Sequence, residues 1–450
     1  MADIPVSTTR AKSIGIRGHS ASVSAGAYSR VYWVDAIARM LTAICLLNIN
    51  GVMWMAFDQE ALASIAMLGP AVLLVVFAGR HAWSLPFSLV VGAITTYLAF
   101  GAFFMGTSSE ADDMAQYVRA YGGTLVILWA VTGYTASLVD NDKRLLSFLR
   151  FVRNTLLLGA ASVWFSPVLY QYYVNVPLAF SFEERLGGFF ANPNEAAMVA
   201  VFAVVFVKEV PFSNRLLGWL ALAMALIAVF LTLSKTGITC VIVYLAWSVM
   251  RKAKRSGVAL LLPIVIMAIL LVQDLEGVLR YITENPVLQL ETAQQNRVLE
   301  IGDVFSGQIN EKTTTGRTYL WQLAAARAWE AFPSGNGLGS AHQMAGGLFQ
   351  NDGWLGAHNT FLMIWCESGI LPTILLIAAM VWTLSNTLRH PLWHLILPIS
   401  IVLLTDMMAT HTALLTRYHN LIMALILGLL VSERAHHWRS RSREQRADTA

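Results

Sequence analysis

Long apolar runs separated by short polar breaks dominate the chain, and each run approaches the roughly 20 residues that a helix needs to cross a bilayer. Twelve runs stand out, at 36–57, 61–79, 82–105, 121–139, 151–170, 195–209, 215–233, 236–250, 257–272, 359–384, 391–409 and 415–431. The shorter ones, such as 195–209, must borrow flanking residues or sit in thinned bilayer. One long hydrophilic connection interrupts the series. It carries a helical stretch of its own, GRTYLWQLAAARAWEAF at 316–332, with Thr314 or Thr315 as N-cap and Tyr319, Leu320 and Leu323 at helical spacing. The pattern predicts an all-α fold: a polytopic membrane protein of about twelve transmembrane helices with one large loop containing helices. The expected divisions are a tail at 1–35, helices one to nine at 36–272, the loop at 273–357, helices ten to twelve at 358–431 and a basic tail at 432–450.

Composition agrees with that pattern. Of 450 residues, 56% are hydrophobic and 13% charged, with mean hydropathy +0.58, where a soluble protein carries about 25% charged residues. The Ser-rich start, with Arg10, Lys12, Arg17 and Arg30, has no apolar core followed by a cleavage site, so no cleavable signal peptide is expected. The tail RAHHWRSRSREQR is expected to anchor topology rather than bind nucleic acid. Cys45, Cys240 and Cys366 lie in apolar segments without metal-ligand spacing, so neither a disulfide nor a zinc site is expected. There is no convincing internal repeat.

Charge sets the orientation. With the N-terminus in the cytoplasm and twelve alternating helices, 22 of the 31 Lys and Arg residues fall on the cytoplasmic side and 9 outside, as the positive-inside rule requires. Both termini are then cytoplasmic and the 273–357 loop is outside.

Several cations stand against this trend. Arg185 precedes the sixth run, where Asn192, Pro193 and Glu195 form a capping sequence. Lys235 opens the eighth run with Ser234 as cap, Arg317 opens the loop helix, and His358 opens the tenth run with Asn359 as cap. A helix N-terminus already carries about half a positive charge, so a further cation there is unfavourable unless an anion is near. Repetition of the arrangement at the outer surface points to a bound anion, phosphate above all. Taken singly, each residue also has a plainer role: Arg185 and Lys235 as side chains snorkelling to the interface, Arg317 as a solvated loop residue, and His358 as a backbone-bonded interfacial histidine. His342 and His411 are expected to be ordinary interfacial histidines, and Glu183, Glu184 and Asp352 solvated loop carboxylates. Tyr170, Tyr172, Tyr173 and Trp354 are expected as aromatic-belt anchors, and FPSGNGLGS as a flexible turn or, alternatively, a backbone cradle for an anion.

In order along the chain, RLGGFFANPNEAA, LSKTG, TTTGRTYLW, PSGNGLGS and AHNTFLMIWCESGIL resemble the O-antigen ligase/polymerase superfamily of bacterial membrane glycosyltransferases. The resemblance spans roughly 180–385, and the remainder matches by topology alone. It implies a donor of undecaprenyl-diphosphate-linked glycan and metal-independent transfer, with no cofactor, at the periplasmic face of the inner membrane. The family's basic pair and histidine fall on Lys235, Arg317 and His358; lysine at 235 departs from the arginine common in ligases, keeping charge but losing the bidentate fork. On this view Lys235 and Arg317 stabilise the departing diphosphate, and His358 accepts the acceptor hydroxyl's proton, an imidazole having an ordinary pKa of about 6.5. Arg185, Asn192, Asn194 and Asn359 are expected on the substrate-binding side. The acceptor is lipid A-core in a ligase or another lipid-linked glycan in a polymerase; Trp354 followed by His358 and Asn359 resembles an element of exopolysaccharide polymerases. Membrane lipids are expected partners and nucleic acid is not. A different class, a transporter or flippase for an anionic lipid or solute, would use midplane charges, for which Glu367, Asp406 and Arg417 are the nearest candidates.

Overall fold

The computed structural model describes residues 25–104, 111–138, 141–173, 185–190, 192–252, 317–341, 357–388, 390–410 and 412–431, together with Gln295 and Leu299. The described residues are mainly helical, with no strand among them. The principal helices are α1 (Ala25–Leu46), α2 (Ile49–Phe57), α3 (Glu60–Ala78), α4 (Leu85–Phe104), α5 (Ala111–Leu138), α6 (Asp142–Ser162), α7 (Pro193–Glu209), α8 (Arg215–Leu231), α9 (Lys235–Lys252), α10 (Arg317–Glu330), α11 (Thr360–Ser368), α12 (Ile370–Thr387), α13 (Trp393–Ala409) and α14 (Arg417–Val431). The expected run at 257–272, the cap at 314–315 and His342, His411, Glu183, Glu184, Asp352 and Trp354 lie outside the described residues.

Among the described residues, three helices are long and apolar enough to cross a membrane by themselves: Ala61–His81, Leu85–Phe104 and Ile370–Thr387. The α1–α2 pair meets the test jointly, and Arg215–Leu231, Lys235–Val249, Trp393–Ala409 and Arg417–Val431 are apolar but shorter.

Two expected single helices are broken. Within 36–57, α1 and α2 meet at a 57° bend. Asn48 there adopts the left-handed conformation (φ 49°), which asparagine tolerates better than most side chains, and its amide donates to Phe189 O at 3.0 Å. Within 359–384, Gly369 (φ 86°) separates α11 from α12. Hydropathy does not register such breaks, because the apolar run continues through them.

At the centre lies α7. Nearly every side chain from Ala196 to Val207 is buried, as expected of a helix that is apolar all round, and it packs against α6, α8, α9 and α13. Polar contacts then sort helix ends into two groups. At one pole, Arg144 of α6 pairs with Asp35 of α1 (Nε to Oδ2, 3.2 Å), which also accepts from the Tyr134 hydroxyl of α5 at 3.0 Å. Arg153 donates to Val210 O at 2.7 Å beyond the end of α7, with its guanidinium 3.4 Å from the Phe212 ring centroid. Glu209, the last residue of α7, takes Arg251 of α9 at 2.9 Å and the Tyr244 hydroxyl at 3.1 Å. The candidate residues gather at the other pole.

The segment Pro333–Ala341 is a fixed strap rather than a flexible turn. Asn336 N and Gly337 N donate to Cys366 O and Glu367 O at 2.8 and 2.9 Å, supplying partners for carbonyls at the end of α11. Pro333 O accepts from Ile370 N at 3.1 Å at the start of α12, and Leu338 N reaches Gly101 O of α4 at 3.1 Å. Glu367 is fully buried; its carboxylate accepts from the Tyr97 hydroxyl and from Ala341 N. The strap's backbone therefore serves a buried carboxyl group belonging to the protein itself.

Candidate functional site

Arg185 is not a snorkelling side chain. Its Nε donates to Thr232 O at 3.0 Å and its NH2 to Asn194 Oδ1 at 2.7 Å, tying the start of α7 to the α8–α9 turn. The loop behind it is held by aromatic hydroxyls: Gly187 N donates to the Tyr170 hydroxyl at 2.5 Å, and the Tyr173 hydroxyl donates to Gly188 O at 3.0 Å. These two tyrosines are thus loop supports, a role beyond that of belt anchors, whereas Tyr172 is 68% exposed. Gly188 needs its φ of 60°, and a Cβ there would stand 2.3 Å from Ser162 Oγ.

The expected caps form. Asn192 Oδ1 accepts from Asn194 N at 2.9 Å with Pro193 in the first helical position. Ser234 Oγ accepts from Gly237 N at 3.3 Å, and the half-buried Lys235 is the first residue of α9. The starts of α7 and α9 lie side by side, so close that a Cβ on Gly237 would meet Ala197 Cβ at 2.7 Å. Arg185, Asn192, Asn194 and Lys235 thus form one group.

Arg317, His358 and Asn359 form a second. Arg317 opens α10, and one turn later Trp321 Nε1 donates to His358 O at 3.4 Å. Asn359 Oδ1 accepts from Phe361 N and Leu362 N at 3.0 and 3.1 Å, capping α11. His358 itself is left-handed, with φ 44°, a conformation that costs a residue with a Cβ about 1–2 kcal/mol.

The two groups meet around the C-terminal end of α13, which packs against α7, α9 and α11. Thr360, the first residue of α11, donates its hydroxyl to Thr410 O at 2.7 Å. One turn back, Asp406 lies within electrostatic reach of Glu195 in the first turn of α7 and of Cys240 in α9. Asp406 Oδ2 also accepts from the Tyr418 hydroxyl at 3.1 Å and pairs with His419 Nδ1 at 3.0 Å, fastening the start of α14. Four helix starts therefore surround one helix end. At about half a charge per terminus, the starts outweigh the single end, and Arg185, Lys235, Arg317 and Arg417 bring four basic side chains to a pole that also holds the Asp406 and Glu195 carboxyl groups.

Sequence reasoning placed Asp406 only as a possible relay and overlooked Tyr418 and His419. The polar cluster RYHN at the head of an apolar run was the available signal.

A bundle of apolar helices, several of whose starts and basic side chains gather at one pole, has the character of a helical membrane protein. Residues 220–377 match the family model described as O-antigen ligase, and over that segment the chain is similar to the O-antigen ligase/polymerase superfamily, whose members are glycosyl-transferring enzymes acting on lipid-linked glycans. The matched segment contains Lys235, Arg317, His358 and Asn359; Arg185, Asn192 and Asn194 precede it. No curated protein matches the chain.

Proposed function

We propose that this protein is a membrane glycosyltransferase of the O-antigen ligase type. It transfers glycan from undecaprenyl diphosphate to a hydroxyl of lipid A-core at the periplasmic face of the bacterial inner membrane. The observation that carries the reading is the gathering of the α7, α9, α11 and α14 starts around the end of α13, with Arg185 and Lys235 in one group and Arg317 and His358 in the other.

In this reading the acceptor oxygen attacks the anomeric carbon while the bond from that carbon to the diphosphate oxygen breaks. His358 takes the acceptor's proton, and the diphosphate lipid leaves with the bonding electron pair. Lys235 and Arg317 hold the growing negative charge, without metal. Arg185, Asn192 and Asn194 shape the diphosphate side, and Asn359 fixes the backbone next to His358. About twelve spans, cytoplasmic termini and a periplasmic 273–357 loop complete the proposal. A polymerase, with another lipid-linked glycan as acceptor, is the second reading, supported by the Trp354 to Asn359 element.

In membranes supplied with undecaprenyl-diphosphate glycan and each acceptor, His358→Ala is expected to lower transfer about 10²–10⁴-fold, and Arg317→Ala about 10²–10³-fold, with insertion unchanged. Full activity in both variants sinks the catalytic assignment. Mass analysis of the product made with each acceptor separates ligase from polymerase, and movement of the lipid across vesicles without a new glycosidic bond would favour a flippase instead.

A further inference from the structure

Arg317 is the first residue of α10, and α10 lies beside α11, which starts just after His358. The two helices are joined at both ends. Near their starts, Trp321 Nε1 donates to His358 O at 3.4 Å. Near their far ends, the rings of Trp329 and Trp365 meet edge-on with centroids 5.1 Å apart. There the Asn336 amide bridges the helices, donating to Arg327 O at 3.2 Å and to Cys366 O at 3.0 Å. Arg327 in turn donates to Ser340 O at 3.2 Å. Asn336 and Ser340 belong to the strap, so the seat of α10 on α11 depends on where the strap lies.

Glu367 ties the strap to the bundle from within. Its fully buried carboxyl group takes Ala341 N of the strap at 3.3 Å on one oxygen and the Tyr97 hydroxyl of α4 on the other. The next residue repeats the link to α4, with Ser368 Oγ donating to Tyr97 O at 2.7 Å. A carboxyl group withdrawn from water is costly unless its oxygens are bonded. Lifting the strap would strand that group in an apolar site, so the strap and the side chain hold each other in place. The fit leaves no slack: a Cβ on Gly335 would stand 2.2 Å from the backbone carbon of Glu367.

We propose that Glu367 is a positioning residue: through the strap it fixes α10 against α11 and so sets Arg317 relative to His358. It acts by hydrogen bonding and, enclosed on all sides, touches no substrate. The part that Arg317 and His358 play in transfer rests on the function proposed above; the placement of α10 does not.

The test uses the full chain in lipid nanodiscs. Glu367→Leu keeps the bulk of the side chain and removes both acceptors. Glu367→Gln keeps an acceptor for Ala341 N, and its amide can donate to the Tyr97 hydroxyl, which accepts as well as donates. Gly335→Ala pushes the strap from outside and leaves Glu367 intact. Spin labels on Tyr319→Cys of α10 and Ile374→Cys of α12, both exposed positions, report the distance from the loop helix to the bundle, the native cysteines being buried. Glu367→Leu and Gly335→Ala are expected to shift or broaden that distance, and Glu367→Gln to leave it as in the parent. In the transfer assay the first two are expected to lower the rate about 10²-fold, the cost of misplacing a reacting group by about 1 Å, while Glu367→Gln stays close to the parent. With Arg317→Ala already present, Glu367→Leu is expected to cost far less, because residues acting through one another are not additive. Should Glu367→Leu fail to fold, Gly335→Ala carries the test alone. An unchanged distance in these two variants overturns the proposal. So does a Glu367→Gln as impaired as Glu367→Leu, which would make the carboxylate's charge, and not its bonding to the strap, the essential feature. Shifted distances in a chain whose parent transfers no glycan would instead count against the roles of Arg317 and His358 and leave the placement of α10 standing.

Discussion

His358 holds a backbone conformation that glycine would adopt at no steric cost. Stability and function therefore pull apart at this position. His358→Gly removes the imidazole and relieves the left-handed penalty, and is expected to raise stability by about 1 kcal/mol while transfer falls at least about 10²-fold. Thermal unfolding and product analysis on the same preparation check both halves. A merely structural histidine would instead leave transfer in place. Arg185 is the converse case, because its fork carries two contacts at once. Arg185→Lys keeps the charge but cannot span Thr232 O and Asn194 Oδ1 together, so about 1–3 kcal/mol of stability is expected to be lost with the unmade bonds, visible as a lower unfolding midpoint. The caps at Asn192, Ser234 and Asn359 were legible in the sequence, since a cap is chemistry between residues two or three apart. The pairing of His419 with Asp406 was not, because it crosses the α13–α14 turn and depends on how two apolar runs fold back on each other.

At the scale of elements, apolar runs located nearly every described helix but misjudged continuity. Residues 359–384 read as one run because the break consists of one glycine, and its cause lies elsewhere in the chain, in a strap whose backbone supplies the missing hydrogen bonds. Nor could spacing show that PSGNGLGS serves Glu367, a partner within a different motif. The strap's dependence on close approach makes a testable contrast between two glycines. A Cβ at Gly369 would stand 2.4 Å from Pro333 O on a backbone of positive φ, so Gly369→Ala is expected to cost at least about 1–3 kcal/mol. Gly122 has nothing within 4 Å of its Cβ position and lies inside α5, so Gly122→Ala is expected to gain up to about 1 kcal/mol in helix propensity. Unfolding midpoints moving in opposite directions are the expected result; equal effects would mean that the strap does not fix the α11–α12 junction.

For the whole molecule, the two poles differ in what they do with charge. The pole at the starts of α1 and α6 and the end of α7 pairs its cations with the protein's own carboxylates, as in Arg144 with Asp35 and Arg251 with Glu209. Both pairs are partly buried, Glu209 almost wholly so, and they place arginine where the positive-inside rule wants it. The opposite pole turns four helix starts inward. Orientation then follows if the ion-paired pole is cytoplasmic, and it would put the other pole where a lipid-linked glycan awaits transfer. Single cysteines report this directly, because Cys45, Cys240 and Cys366 are buried and give little background. In intact cells a membrane-impermeant maleimide is expected to label Ser306→Cys, in the 273–357 connection, and to label Ser440→Cys, in the basic tail, only after the membrane is opened. Labelling of the tail in intact cells would turn the molecule over and face the site toward the cytosol, where a periplasmic acceptor could not reach it.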